Sequence, residues 1–278
     1  MPCCLFIAFF SLSASASCVG DQQSDKVYKV SVVPQKSPSE IFSVWSQLLD
    51  RVGKKTGMCF TLTLQSNIQD FEARLLTGEP DFSWVNPYHA LMAHNKHGYH
   101  TLVRDGKSLL SGLLTVRKDS PVNSLDQLSD ANIAFPSPNA FAASLLIRAM
   151  LDKQNVPIKP VYVKTHTNVY RATLVGDVKA GGGVNNTFNR EPQALQNELR
   201  VLYQTPSYAP HPLIVNPRVP QADQQAFTKA FLALTEDPKM AALLEKIPMP
   251  MPVLADYDRD YRPLESLGLE KYVVAGSD

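Results

Sequence analysis

The chain has 278 residues, of which 27 are basic and 26 are acidic. A net charge near zero argues against non-specific nucleic-acid binding, which needs a strongly positive surface. The length allows one large domain or two lobes of about 100–150 residues, each able to form its own core. No apolar run beyond the N-terminal region is long enough to span a bilayer.

The N-terminus predicts export. Residues 5–12 form a short apolar core and the small residues 13–17 follow it, as in a secretory signal peptide over residues 1–17. One expectation is plain cleavage after Ala16. The other is lipid attachment at Cys18, because Ser15–Cys18 resembles a bacterial lipobox, although Ser15 stands where Leu is usual. Residues 1–4 carry no Lys or Arg, which leaves open a start codon further upstream. Both routes predict a bacterial periplasmic protein.

The cysteines add little to this prediction. Cys3, Cys4 and Cys18 lie in or beside the signal, which leaves Cys59 alone in the mature body. The sequence therefore predicts that no internal disulfide forms. Cys59 lies in the alternating pattern of residues 58–65, which favours a buried core position over a catalytic one.

In the first half of the chain, short apolar runs alternate with amphipathic segments. A polar tether is expected at 19–26, and a strand at 27–33 leads to a helix at 38–55 that Gly57 ends. The next predicted elements are a strand at 58–65, a helix at 68–77, a short strand and turn at 81–87 and a helix at 88–96. Strands that alternate with helices predict a parallel sheet, with ligands at the carboxyl ends of its strands.

The long apolar strand at 109–116 is interpreted as a hinge that crosses into a second lobe. The alternation then continues with strands at 131–135, 160–164 and 178–181 and helices at 139–153 and 167–175. A strand at 199–204 and the segment 212–215 return the chain to the first lobe, which helices at 221–235 and 238–246 complete. The predicted lobes are therefore residues 27–112 with 212–278, and residues 113–211.

Two segments share a pattern in which a buried strand meets Pro and then a Ser-Pro helix start. In the first, Gln35 precedes Ser37, whose hydroxyl is expected to cap a helix with Glu40 as the second half of a capping box. In the second, Ser137 precedes Pro138, and Asn139 and Ala140 follow. Free backbone N–H groups and the helix dipole at such starts suit an anion, so the pattern predicts an anion held between two lobes.

Four further candidates for ligand contact lie at strand-to-helix junctions: Asn86, Tyr88, His166 and Tyr170. Each is equally able to cap a helix or to fill a contact between lobes. The run Gly181–Gly183 lacks the spacing of a nucleotide-binding loop. It is expected either to let a ligand or the opposite lobe approach closely or to form a tight turn.

The sequence predicts neither a catalytic centre nor a metal site. His89, His94, His97 and His100 lie close together, but their spacing fits no closed zinc motif. No Ser-His-Asp, Cys-His or paired-carboxylate arrangement stands out, so no cofactor and no enzymatic activity are expected.

Taken together, several segments resemble the exported substrate-binding proteins of phosphate, phosphite and phosphonate ABC transporters. The matching segments within residues 27–272 are Asp81–Tyr88, Arg117–Pro121, Ala134–Ser144, Asn168–Arg171, Ala180–Val184 with Thr187 and Phe188, and Leu202–Pro206 with Pro210–Pro212. The resemblance implies a two-lobed α/β fold of the type II periplasmic binding proteins, with a mixed, mostly parallel sheet in each lobe and a two-segment hinge. It also implies that the oxyanion binds at Ser137, Asn139 and Ala140, with Tyr88, His166 and Tyr170 nearby.

The function implied is capture of a small phosphorus oxyanion for delivery to an ABC permease, by a protein that acts as a monomer. A ligand-sensing module of a membrane receptor is the alternative. A metal-binding protein or an enzyme on this fold is less favoured than either. The sequence does not choose among phosphate, phosphite and phosphonates. Aminoalkylphosphonate binders of this family hold the amine with acidic residues, and no such residue is assigned here, which argues against 2-aminoethylphosphonate.

Overall fold

The computed structural model describes residues 18–274. The predicted signal peptide, with its cleavage position after Ala16, lies outside these residues. The described chain forms two α/β lobes, each built on one sheet. The first lobe contains the seven-stranded sheet and the second lobe the five-stranded sheet, which confirms the predicted two-lobed α/β class. Both sheets are mixed, as expected, but they are not mostly parallel, because the chain returns to each sheet through antiparallel strands.

The first lobe takes its elements from both ends of the described chain. The strands are β1 (Val19–Gly20), β2 (Val27–Val32), β3 (Cys59–Thr63), β4 (Phe82–Trp84), β5 (His100–Asp105), β11 (Leu213–Val215) and β12 (Pro252–Leu254). The helices are α1 (Pro38–Thr56), α2 (Ile68–Leu75), α3 (Pro87–His97), α8 (Gln221–Leu232), α9 (Pro238–Lys246) and α10 (Tyr257–Asp260). The strand order is β1-β3-β2-β4-β11-β5-β12, parallel where β2 pairs with β3 and β4 and antiparallel elsewhere.

The second lobe is a continuous stretch of chain. Its strands are β6 (Gly112–Arg117), β7 (Ala131–Phe135), β8 (Ile158–Tyr162), β9 (Ala180–Val184) and β10 (Leu199–Gln204). Its helices are α4 (Leu146–Lys153), α5 (His166–Val175), α6 (Asn185–Phe188) and α7 (Gln193–Asn197). The strand order is β10-β6-β9-β7-β8, with β7 parallel to both neighbours. A π-helical turn over Phe141–Leu145 leads directly into α4.

Helix α1 shows how local sequence sets one element of the first lobe. The Ser37 hydroxyl accepts from the Glu40 backbone N–H and the Glu40 carboxylate accepts from the Ser37 backbone N–H, so the predicted capping box is confirmed. Gly57 ends the helix in the left-handed conformation at φ 67°. Between these ends, the apolar face of α1 buries Trp45, Leu48 and other residues in the core of the first lobe.

The N-terminal segment differs from the sequence prediction. Cys18 and Cys59 form a disulfide, so the expectation of no internal disulfide is wrong. Residues 19–26 are not a free tether either, because β1 pairs with β3 at the edge of the first sheet. The prediction of a buried Cys59 is confirmed, since its side chain is 0% exposed.

Two stretches of chain connect the lobes, residues 106–111 and residues 205–212. They run side by side, because the backbones of Leu110 and Tyr208 donate to each other's carbonyl oxygens at 2.9 Å. Between residues 18 and 274, no helix is both long and apolar enough to cross a bilayer.

Candidate ligand-binding site

A small cavity of about 20 Å³ lies between the two lobes. From the first lobe and the connecting segment, Gln35, Asn86 and His211 line it. From the second lobe, its walls are the start of the helix at Ala140–Ala143 and the side chain of His166. This placement agrees with the prediction that the second-lobe helix start faces the contact between lobes.

The helix start presents backbone donors to this cavity. Ser144 and Leu145 are the first residues whose N–H groups bond back, both to the Ala140 carbonyl oxygen. The N–H groups of Phe141, Ala142 and Ala143 precede them and therefore have no acceptor within the helix. Together with the positive end of the helix dipole, they form a site suited to an oxyanion.

The predicted helix start was placed too early. Ser137 was expected to cap the helix, but the helical turn begins at Phe141, and the N-cap position, Ala140, has no side-chain cap. Residues 137–140 instead form a turn in which the Ala140 N–H donates to the Ser137 carbonyl oxygen at 3.4 Å. The Ser137 side chain is thereby left without the capping role that the sequence suggested.

Two glycines allow the helix start to lie directly on the sheet. A Cβ at Gly112 of β6 would overlap the Ala142 carbonyl oxygen, and a Cβ at Gly182 of β9 would overlap the Ala143 carbonyl oxygen and the Phe135 ring. The close approach expected for the glycine run therefore exists, but the partner belongs to the same lobe. The nearest atoms to this run all belong to the second lobe, and the run forms a strand instead of a tight turn.

Several buried polar groups at the site have unused hydrogen-bonding capacity. Within residues 18–274, the Ser137 hydroxyl and the Nδ1 atoms of His166 and His211 are buried without a hydrogen-bond partner. Buried polar groups are normally satisfied, so such exceptions often mark a place where a ligand or water completes the network. All three groups belong to segments that border the cavity.

Both histidines are neutral at physiological pH. Burial lowers the pKa of His166 to about 4, and the nearby Lys36 adds to this effect. Burial, followed by the neighbouring His166, lowers the pKa of His211 to about 3. The amide nitrogen of Gln35 lies 2.9 Å from His211 Nε2 and donates to it, which places the ring proton on Nδ1. His211 can therefore donate a hydrogen bond to an anion without carrying a charge.

Asn139 does not face the cavity. Its amide nitrogen donates to both Glu72 carboxylate oxygens at 2.9 and 3.0 Å and to the Val274 carbonyl oxygen at 2.9 Å. Its side-chain oxygen accepts from the Val274 N–H at 2.9 Å. Glu72 also lies 3.1 Å from His89 Nε2, which donates to it. Asn139 thus joins the second lobe to the first, and nothing in the sequence pattern indicated Glu72 as its partner.

Asn86 has two roles. Its side-chain oxygen accepts from the His89 N–H at 2.8 Å and so caps α3, while its amide nitrogen donates to the Asn139 carbonyl oxygen at 3.3 Å across the lobes. It also lines the cavity.

The remaining predicted contacts lie outside the cavity lining. Tyr88 is buried beside the site, and burial raises its pKa. The Tyr170 hydroxyl lies behind β9, where it contacts the Thr187 hydroxyl at 2.8 Å and the Val184 carbonyl oxygen at 3.3 Å. Ser37 is exposed and engaged by Glu40 in the capping box. The start of α1 therefore lines the adjoining groove, whereas the second helix start lines the cavity.

The cavity opens towards a wider groove of about 610 Å³. Gln35 and His166 line both spaces. The groove carries basic residues at Lys36, Arg190 and Lys246 and acidic residues at Glu40 and Glu191. A depression of similar size, about 700 Å³, lies elsewhere on the first lobe beside α8, but none of its lining side chains is a buried group lacking a partner.

The histidine cluster has structural roles. His94 stacks on Tyr257 with ring centroids 3.7 Å apart, and His97 contacts the Leu76 carbonyl oxygen at 2.8 Å. Among residues 18–274, no group of three or more His, Cys, Asp or Glu side chains is placed to hold a metal ion.

Two sheet-based lobes with an anion-suited cavity between them define a solute-binding protein of the two-lobed periplasmic type. Residues 30–261 match the family model described as "ABC transporter, phosphonate, periplasmic substrate-binding protein". The chain belongs to this family. Family membership implies a periplasmic location, a small ligand and a transporter permease as partner.

Individual relatives agree with this assignment. The phosphonates-binding periplasmic protein of Escherichia coli K12 is 22% identical over 285 residues, covering 96% of this chain and 83% of that protein. A Prochlorococcus marinus protein solved in complex with methylphosphonate has a TM-score of 0.80 at 15% identity, covering 90% of this chain and 99% of the other. A binding component of an ABC phosphonate transporter from Pseudomonas aeruginosa has a TM-score of 0.77 at 16% identity, covering 91% and 89%.

Proposed function

We propose that the protein captures a small phosphorus oxyanion between its lobes and delivers it to a membrane permease, without chemical change to the ligand. The observation that carries the proposal is the open helix start at Phe141–Ala143, which lines a small cavity between the lobes. His211 lines this cavity, and Ser137 lies in the turn that leads to the wall at Ala140; both have neutral donors that lack partners among residues 18–274. A neutral donor to a charged oxygen contributes about 1.5–3 kcal/mol, so a few of them support micromolar binding.

The size of the cavity supports a cycle of opening and closure. A space of about 20 Å³ holds roughly one water molecule, which is less than a phosphorus oxyanion needs. Binding therefore requires the lobes to separate, and we assign the hinge to the paired connections at 106–111 and 205–212. Closure of the two lobes around the ligand would create the surface that the permease recognises.

The lining also bears on which ligand is preferred. Among the described residues, no Asp or Glu lines the cavity, and the nearest candidates in the groove, Glu40 and Glu191, already accept from Ser37 and Thr167. An aminoalkyl substituent would therefore find no carboxylate in the cavity itself, although the groove beyond it contains two. We therefore propose phosphate, phosphite or methylphosphonate ahead of 2-aminoethylphosphonate.

A thermal-shift panel tests the proposal. Phosphate, phosphite, methylphosphonate and 2-aminoethylphosphonate are compared, with sulfate and zinc as controls. A ligand at a hundred times its dissociation constant adds about 2.7 kcal/mol of stability, which corresponds to a rise of roughly 5–10 °C in Tm. If no phosphorus oxyanion shifts Tm while another solute does, the proposed ligand class is wrong.

A further inference from the structure

Cys18 is covalently joined to the first lobe. Its disulfide to Cys59 links β1 to β3, with the two Cα atoms 5.6 Å apart, a separation that suits a disulfide. The backbone agrees with the bond, because Val19 pairs with Phe60 and Gly20 pairs with Cys59 in antiparallel register. Asp21 extends the contact by donating to the Met58 carbonyl oxygen at 2.9 Å.

The body of the first lobe is shaped to receive this segment. Gly53 lies in the interior of α1, where glycine costs about 1 kcal/mol relative to alanine. A Cβ at Gly53 would come within 2.6 Å of the Gly20 Cα and 2.5 Å of the Met58 carbonyl oxygen. Gly20 itself has φ +114°, a conformation that favours glycine. Two glycines thus allow β1 to pack against α1, independently of the disulfide.

These contacts conflict with a lipid anchor at the same residue. A lipidated cysteine carries its lipid through a thioether, so its sulfur has no valence left for a disulfide. An anchored domain also needs a flexible tether after the modified residue, whereas here β1 begins at Val19, directly after Cys18. The Ser24 hydroxyl holds the following turn by donating to the Gly57 carbonyl oxygen at 2.5 Å.

We propose that Cys18 is a structural half-cystine and not a lipid-attachment site, so that the exported protein is released into the periplasm after cleavage upstream of Cys18. The two thiols lose two protons and two electrons as the S–S bond forms. A disulfide-carrying thiol oxidoreductase of the periplasm accepts the electrons by thiol–disulfide exchange, and its own disulfide is reduced to a dithiol. The proposal rests on periplasmic location and does not depend on the identity of the ligand.

Intact-mass analysis tests the proposal directly. The full chain is expressed with its own leader in a Gram-negative host, alkylated without reduction, and measured before and after reduction. We expect no acyl mass, an N-terminal residue upstream of Cys18, and two alkyl groups added after reduction alone. A diacylglyceryl mass on an N-terminal Cys18, or two thiols that react before reduction, would overturn it.

A pair of variants separates the two roles of Cys18. If the disulfide exists, Cys18→Ser and Cys59→Ser each lower Tm by the same amount, about 5–15 °C for a closed loop of this length, and the double variant loses no more. The protein also stays in the soluble periplasmic fraction in all cases. If Cys18 carries a lipid, Cys18→Ser alone moves the protein from the membrane fraction to the soluble fraction, and Cys59→Ser does not. Binding of methylphosphonate is measured in parallel, so failure of the proposed ligand class is seen separately.

Discussion

Replacing Ser137 with alanine is expected to weaken anion binding without lowering the stability of the ligand-free protein. The Ser137 side chain is 3% exposed, and within the described residues its hydroxyl has no hydrogen-bond partner. A buried unsatisfied polar group costs about 1–3 kcal/mol, so Ser137→Ala should leave the Tm of the ligand-free protein unchanged or raise it. In the complex the hydroxyl would donate to a charged oxygen, a bond that contributes about 1.5–3 kcal/mol. Its loss weakens binding roughly ten- to a hundredfold.

Isothermal titration calorimetry with the best anion of the thermal-shift panel measures the affinity, and a ligand-free thermal scan measures the stability. Ser83→Ala is the matched control, because Ser83 is 0% exposed and its hydroxyl donates to the Ser31 carbonyl oxygen at 3.1 Å in the first sheet. The control should lose stability and keep its affinity. An unchanged dissociation constant in Ser137→Ala would remove Ser137 from the site.

Three further changes test other parts of the site. The pKa values of His166 and His211 are lowered to about 4 and about 3, below the usual 6.5 of an unfolded chain, so the unfolded state takes up protons first as the pH falls. Each histidine should therefore lower the free energy of unfolding by up to about 1.4 kcal/mol for every pH unit between pH 6.5 and its own lowered pKa. When urea unfolding is measured at several pH values, each His→Gln variant should show a weaker dependence of this free energy on pH. Gly112→Ala should cost about 1–3 kcal/mol and weaken anion binding, because its Cβ displaces the Ala142 carbonyl; a calorimetric affinity equal to wild type would contradict this. Glu72→Gln places an amide donor against the groups that donate to Glu72, so small-angle scattering should show a larger ligand-free radius of gyration, and an unchanged radius would show that this contact does not hold the lobes together.

Features that depend on neighbouring residues could be predicted from the sequence. The capping box of Ser37 and Glu40 and the end of α1 at Gly57 follow from residues three or four positions apart, and both are present. The alternation of strands and helices likewise predicted two α/β lobes. In these cases the interacting residues lie within one or two helical turns of each other, so residues that are close in sequence are also close in space.

Features that depend on tertiary contacts could not be predicted. Ser137 and Pro138 have the residue types of a helix start, yet the turn they form is held from elsewhere, since the Arg148 guanidinium donates to the Pro138 carbonyl oxygen at 2.6 Å. The Asn139 amide donates a hydrogen bond to Glu72, which is 67 residues away in sequence. The disulfide was missed because Cys18 was counted with the signal, and the pairing of β1 with β3 that brings it to Cys59 is a tertiary contact.

The site is built from hydrogen-bond donors, while the charges lie in the groove outside it. Among described residues, no Lys or Arg lines the cavity, and Lys36 and Arg190 line the groove. Neutral His166 lines the cavity, and its imidazole has one N–H donor and one lone-pair acceptor that a ligand could use. An oxyanion that still carries a proton can donate to this acceptor, whereas sulfate at neutral pH has no proton to donate and leaves it unpaired. Because an unpaired buried acceptor costs free energy, we expect protonated phosphorus oxyanions to bind more tightly than sulfate of equal charge and similar size, and the thermal-shift panel measures this difference.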